Sequence, residues 1–382
     1  MKKIGLLTYF WAHNPGTFLQ AYSTWQALRR YFPEDRVELV NYRHRRVFFR
    51  PGGRSLSPGK LWSSYRRHRL YERIKRAHLV LGPEELIDRD STAAWSFIER
   101  QGYDMIVVGA DTILEFLPFH RRENQIPVYW LPGDFPVRRV LCASSSGALS
   151  GERLTAEQRQ WCRESLNGFA LVGVRDEATR RLVGTLGLDN EDKLAMVPDP
   201  TFSFEVEANE AECLIRRKKL DFSRPTVALY LLKTFKPAAA LARYYQRKGW
   251  QVVSLTPEPY GDFDLYDISP LEWASIYRHF SLVVTDRFHG TIFSLKNLTP
   301  VVAVVSDPGK ITEEGLSKPY SLLKLFGMEE THFLNAIGLE ALDEVTRLTE
   351  AASERFDRAR VSQTLSGLGE EYHRFIERIG RI

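Results

Sequence analysis

The chain has 382 residues, 43% of them hydrophobic and 26% charged, which gives apolar material for two packed domains and excludes a disordered or fibrous chain. Its three cysteines, Cys142, Cys162 and Cys213, are too few and too scattered for a disulfide framework or a cysteine zinc site, and are expected as buried or half-buried thiols. The net charge of +5 is mild, no apolar run approaches the roughly 20 residues that span a bilayer, and the first residues lack a signal-peptide pattern, so a cytoplasmic protein is expected.

Residues 2–9 form a short apolar run and are expected as a buried strand. A loop with Asn, Pro and Gly at 13–16 precedes a helix over 17–31, where Leu19, Tyr22, Trp25 and Leu28 share one face. A second strand is expected over 37–42. Residues 43–76 then interrupt the pattern with twelve Lys or Arg against one acid, Glu72, and with Phe48, Phe49, Trp62, Tyr65 and Tyr71 interleaved. This excursion is a solvated helical face, a surface for anionic lipid or lipid-linked phosphate, or a nucleic-acid surface. No nucleic-acid motif supports the last, and nucleic acid is not an expected partner.

After the excursion come a helix over 93–101, a strand over 105–108 and a strand over 139–143. A helix over 155–166 opens with a capping box, Thr155 and Gln158. A strand over 170–174, a helix over 176–186 and a strand over 195–197 follow. Residues 205–212 are acidic and polar and 216–219 are basic, which reads as a linker. The alternation then restarts, with strands over 226–231, 251–255, 282–285 and 301–305 and helices over 237–248, 270–279, 290–297, 320–326 and 350–379. Strands alternating with helices predict parallel sheets covered on both faces. Two such runs predict two doubly wound domains, 1–205 and 206–382, facing across a cleft, with sites beyond the carboxyl ends of the strands.

The loops after those strands hold the candidate chemistry. The first domain offers His13 and Asn14, Gly109 and Asp111, Ser144 and Ser145, and Arg175 beside Asp176. The second offers Asp286, Arg287 and His289. No Walker loop, dinucleotide fingerprint, nucleophile elbow or metal-ligand spacing is present, and no metal is expected. Anion handling remains. Arg287 carries a planar fork of donors for carboxylate or phosphate, just before a helix start that favours an anion. His289 is in the same turn, and a histidine, ordinarily titrating near about 6.5, is the natural proton carrier at neutral pH. Asp199, between two prolines, is expected to fix a rigid turn.

Six of these segments, in order, resemble the polysaccharide pyruvyltransferase family. They are 13–22 (His-Asn-Pro-Gly-Thr-Phe-Leu-Gln-Ala-Tyr), 107–111 (Val-Val-Gly-Ala-Asp), 143–147 (Ala-Ser-Ser-Ser-Gly), 174–177 (Val-Arg-Asp-Glu), 198–201 (Pro-Asp-Pro-Thr) and 285–291 (Thr-Asp-Arg-Phe-His-Gly-Thr). The chain departs from the family at His13 and Pro15, where glycines are common, and after Asp111, where Gln and Trp are usual.

The resemblance implies a GT-B-like fold of two Rossmann-like domains, with the acceptor on the first and the donor on the second. It implies phosphoenolpyruvate as donor substrate, no cofactor, and a sugar of a cell-surface polysaccharide, lipid-linked or free, as acceptor. Arg287 and Arg175 are then expected to clamp the donor and His289 to shuttle protons. Lys318 is expected to add charge, and His13, Asn14, Gly109, Asp111, Ser144, Ser145 and Asp286 to line the substrates. Peripheral contact with the inner membrane face through residues 43–76 is a further expectation. The rival readings are a GT-B glycosyltransferase using a nucleotide sugar, weakened because Glu313 and Glu314 follow the wrong strand for a ribose contact, and a catalytically silent glycan-binding member.

Overall fold

A computed structural model describes all residues except 46–57, 148, 150, 189, 258–259, 312–316 and 339–341. Phe48, Phe49, Glu313 and Glu314, weighed above, lie outside the described residues. The chain divides into two compact units, one of Met1–Phe204 with Leu368–Ile382 and one of Glu205–Gly367.

The first unit runs β1 (Lys3–Leu7), α1 (Pro15–Tyr31), β2 (Arg36–Leu39), β3 (Tyr42–His44), α2 (Pro58–His78), β4 (Leu86–Asp88), α3 (Ser91–Arg100), β5 (Met105–Val108), α4 (Pro118–Arg122), β6 (Arg138–Ser144), α5 (Ala156–Gly168), β7 (Leu171–Val174), α6 (Glu177–Leu186) and β8 (Leu194–Met196). Six strands form one parallel sheet in the order β2-β1-β5-β6-β7-β8, and β3 and β4 pair separately. The inner strands are almost wholly apolar because both faces are covered, and every residue of β5 and β7 is buried. Helix α1 starts where Asn14 Oδ1 accepts the Gly16 and Thr17 amides, with Pro15 at its first position. Thr155 and Gln158 form the expected capping box on α5.

The second unit runs α7 (Ala208–Lys218), β9 (Thr226–Tyr230), α8 (Ala238–Arg247), β10 (Gln251–Ser254), β11 (Phe263–Asp264), α9 (Pro270–Ile276), β12 (Leu282–Thr285), α10 (Phe288–Lys296), β13 (Val301–Val305), α11 (Lys318–Leu325), α12 (Glu329–His332), β14 (Phe333–Asn335) and α13 (Asp343–Glu354). A last helix, α14 (Arg358–Gly380), begins in the second unit and ends in the first. The sheet is parallel in the order β11-β10-β9-β12-β13-β14. That is the strand order of a doubly wound dinucleotide-type sheet.

Three expectations need correction. The segment read as a linker is largely helix α7, which buries Ala211 and Leu214 and packs on α9 with an Arg217–Glu272 ion pair between them. The 350–379 helix is two helices, α13 and α14, separated at Arg355–Asp357. Residues 368–382 belong to the first unit instead of the second, because Tyr372, Phe375, Ile376 and Ile379 recur at helical spacing and are buried there. The ring of Phe375 occupies the space beside Gly173, and Tyr372 Oη meets Cys142 Sγ at 3.8 Å. Cys142 and Cys162 are buried thiols as expected, but Cys213 is exposed.

Candidate active site

A doubly wound sheet opens a crevice where its strand order reverses, at the carboxyl ends of the two diverging strands. In the first unit that point lies between β1 and β5, in the second between β9 and β12. Both points are occupied by segments singled out in the sequence.

In the first unit the loops after β1, β5, β6 and β7 are laced together. Thr17 Oγ1, in the first turn of α1, donates to Asp111 Oδ2 at 3.0 Å, and Asp111 Oδ1 accepts the Thr112 amide and hydroxyl. The Ser145 amide donates to Asp111 O, and the Arg175 amide donates to Ser144 O. Gly109, at φ 138, allows this approach, because a Cβ there would lie 1.9 Å from Cys142 O. Ser144 and Ser145 are fully buried. Ser144 Oγ donates to Val108 O and Ser145 Oγ accepts the Gly147 amide, so both hydroxyls hold the loop. Asn14 likewise serves its own helix as a cap.

The Arg175 side chain is buried and its Nη1 donates to Asp199 Oδ2 at 2.6 Å. Asp199 Oδ2 also accepts Gln20 Nε2, and its Oδ1 accepts the Thr201 amide and hydroxyl, so Asp199 both fixes the expected turn and ties β7 to α1. Burial alone would lower the Arg175 pKa, but Asp199, Asp111 and Asp176 more than offset it and the net shift is upward. The guanidinium is thereby held charged and held in place.

His13 turns to α2. Its Nε2 lies 3.1 Å from His68 Nδ1, and its ring packs against Tyr71. Arg67, within the basic excursion, is buried and donates to His13 O and Tyr71 Oη. Burial, with Lys75 and His68 nearby, pulls His13 down to about 4, so its imidazole is neutral near pH 7.

In the second unit Asp286 is buried, and its Oδ2 accepts the Leu232 amide at 2.8 Å, joining the ends of β9 and β12. Its Oδ1 lies 3.3 Å from Arg287 Nε. The Arg287 guanidinium sits 5.6 Å from the centre of the Tyr230 ring, the last residue of β9. Arg287 is the N-cap of α10, its own amide donates to Thr285 Oγ1, and a third of its side chain is exposed. His289 is the second residue of α10, with its ring edge-on to Phe288. Gly290 lets the helix start press on the sheet: a Cβ there would meet Thr285 Oγ1 at 2.4 Å and the Tyr230 ring at 2.9 Å. Lys318 is the half-buried first residue of α11.

Sequence reasoning missed Lys310, in the loop after β13. Desolvation lowers its pKa against the pull of Asp286, and Arg287 lowers it further, so this ammonium shares the field of the Asp286–Arg287 pair. The same desolvation raises the Asp286 pKa, while Arg287 and Lys310 oppose the rise. Lys310 follows a strand as Arg287 does, so the loop rule applied to every strand would have found it. Tyr230, next to last in the strand expected over 226–231, carries no motif. The structure thus gathers Asp286, Arg287 and His289 at one switch point and Asp111, Ser144, Ser145 and Arg175 around the other, with His13 turned aside to α2.

Two Rossmann-like units in series define the GT-B-like class, and the solved structures agree with that class. The chain belongs to the polysaccharide pyruvyl transferase family, whose sequence model matches residues 14–308. The UDP-GlcNAc 2-epimerase from Methanocaldococcus jannaschii is similar with a TM-score of 0.59 at 8% identity, covering 100% of both chains. The UDP-GlcNAc 2-epimerase from Neisseria meningitidis, solved with UDP-GlcNAc, gives 0.58 at 9% identity over 100% of both chains. HepE of Anabaena, solved with UDP and glucose, gives 0.55 at 13% identity, again over 100% of both chains. These likenesses carry the fold alone. No curated protein matches the sequence.

Proposed function

We propose that this polysaccharide pyruvyl transferase moves the pyruvyl unit of phosphoenolpyruvate onto two hydroxyls of a sugar, forming a pyruvate ketal and releasing phosphate. The observation that carries the reading is Arg287 at the end of β12, capping α10 beside the buried Asp286, with His289 in the same helix start and the Lys310 ammonium acting on the same pair electrostatically. Phosphoenolpyruvate bears a phosphate and a carboxylate on one carbon, which suits two neighbouring cations, one of them a planar fork. The first sugar oxygen bonds to C2 as its proton is lost and a proton is delivered to C3. The C2–O bond to phosphate then breaks, and the second hydroxyl oxygen takes its place on C2 while its proton is lost. His289 is the proton carrier in this reading. Arg287 and Lys310 bind the donor and stabilise the phosphate as it leaves. Arg175, committed to Asp199, is a positioning residue, and Asp111 is the acceptor-side carboxylate.

Among the described residues no helix is long and apolar enough to cross a membrane. Helix α2 supports a peripheral contact with an anionic membrane, where a lipid-linked acceptor would be met. Trp62 and Tyr65 are exposed and stacked at 5.8 Å, and Arg66, Arg69, Arg73 and Arg76 continue the same exposed stripe.

The test is incubation of the full chain with phosphoenolpyruvate and galactose- or mannosamine-type acceptors. Phosphate release with an acceptor heavier by pyruvate less one water supports the reading. Turnover of a nucleotide sugar with none of phosphoenolpyruvate would replace it by a glycosyltransferase, and glycan binding without turnover of either donor by a silent binding member.

A further inference from the structure

We propose that His13, His68 and Glu72 form a zinc site that pins α2 to the loop between β1 and α1. His68 and Glu72 are four residues apart on α2 and therefore project from one face of that helix. His13 comes from the loop before α1, 55 residues earlier than His68. One donor atom from each of the three lies within 4.8 Å of the others. The two imidazole nitrogens are 3.1 Å apart, with the rings at 66°. Zinc–ligand bonds of about 2.0–2.2 Å around a tetrahedron set neighbouring donors about 3.3–3.6 Å apart, so the imidazole pair is nearly at that spacing.

The donor set selects the metal. Two imidazoles and one carboxylate suit Zn2+ far better than Mg2+ or Ca2+, which take oxygen ligands. Three protein ligands leave one tetrahedral position for water or a ligand oxygen. The surroundings already orient the ligands. Arg67 Nη2 donates to His13 O at 2.9 Å and fixes the loop, as outer partners of metal ligands do. Lys75 donates to Glu72 Oε1 and is the competing cation. Zinc must displace it or bind through the second carboxylate oxygen. The alternative account of the short contact is an N–H···N hydrogen bond between the two imidazoles.

Equilibrium dialysis of the EDTA-treated full chain against zinc chloride, with magnesium chloride in parallel, decides between them. The expected result is one zinc per chain and no magnesium. His68→Ala and Glu72→Gln should each weaken zinc binding at least tenfold, and His78→Ala, further along the same helix, should leave it unchanged. A readout on the wild-type chain keeps the test independent of variant folding: zinc should protect His13 and His68 from carbethoxylation, read by peptide mass spectrometry. No zinc uptake, equal uptake by the His68 and Glu72 variants, or unprotected His13 and His68 in the presence of bound zinc would each overturn the site.

Discussion

Arg175 Nη1 and Asp199 Oδ2 lie 2.6 Å apart with both side chains buried, and Asp199 also receives Gln20 and Thr201. An ion pair in such a place is worth more as a geometric lock than as net stability, but removing one partner strands a buried charge. Asp199→Ala is therefore expected to destabilise the first unit by about 3–5 kcal/mol. Urea unfolding followed by tryptophan fluorescence checks this. A loss below about 1 kcal/mol, the range of a surface pair, would show that Arg175 finds another anchor.

Arg287→Lys keeps the charge and loses the fork. Donor affinity is expected to fall about tenfold or more, near the roughly 1.5–3 kcal/mol of a charged hydrogen bond. Lys310→Met should raise donor KM in the same direction, since its ammonium shares the field of Asp286 and Arg287. Steady-state kinetics with varied phosphoenolpyruvate measure both, and unchanged donor KM and kcat in Arg287→Lys would remove the clamp assignment.

His289→Gln is expected to lower kcat by about 10²–10⁴ with little change in donor binding, the range for loss of a general acid or base. A variant that binds the donor tenfold more weakly but turns over normally would make His289 a binding residue.

The two sheets were legible because strands buried on both faces carry nearly unbroken apolar runs, as in Val301–Val305. The second switch point was legible for a related reason: Asp286, Arg287 and His289 fall within four residues of one turn. What escaped depends on chain returns. Asp176 stands next to Arg175 in sequence, yet the strongest partner of Arg175 is Asp199, 24 residues on, brought in because β7 and β8 are neighbours. Residues 205–219 read as a linker because only two buried side chains, Ala211 and Leu214, mark the helix, too few to show a period. The meeting of His13 with His68 follows from α2 folding back on the first loop, which no spacing rule links.

His332 supplies a pH test of the second unit. It is fully buried. Its Nε2 meets Ala352 O, a carbonyl that can only accept, so the neutral ring carries its proton there and Nδ1 accepts from Thr331 Oγ1. Burial pulls its pKa down to about 4, below the ordinary value of about 6.5. Between those values the unfolded chain binds the extra proton and the folded chain does not, so stability rises with pH. The contribution is fully present above about 6.5 and is lost as the pH falls toward 4, by up to about 3 kcal/mol. The stability difference between wild type and His332→Gln should therefore shrink across that window in urea unfolding at several pH values. Parallel curves would show that His332 binds its proton alike in the folded and unfolded chain, against the lowered pKa.

The exposed stripe of α2 yields the last expectation. Trp62 is 62% exposed and Tyr65 51% exposed, and with Arg66, Arg69 and Arg73 they follow helical spacing on the solvent side. The opposite side is occupied by Arg67, Tyr71 and Lys75, all buried, so a charge reversal that includes Arg67 would damage the loop at His13 as well as the surface. The informative variant reverses Arg66, Arg69 and Arg73 to Glu. Each basic side chain near an anionic bilayer contributes about 1 kcal/mol, and the attraction fades as the Debye length shortens to about 8 Å at physiological ionic strength. The wild-type chain should sediment with phosphatidylserine vesicles at low salt and less so as salt rises. The triple reversal should not sediment, and Trp62→Ala should weaken what remains at high salt. Turnover of a short, neutral, soluble acceptor should stay near wild type, because Arg287, Lys310 and His289 belong to the other unit. A wild type that never sediments, or a triple reversal that sediments equally well, would leave the stripe a solvated face. A triple reversal that folds but loses turnover of the soluble acceptor would place α2 in the wall of the acceptor site.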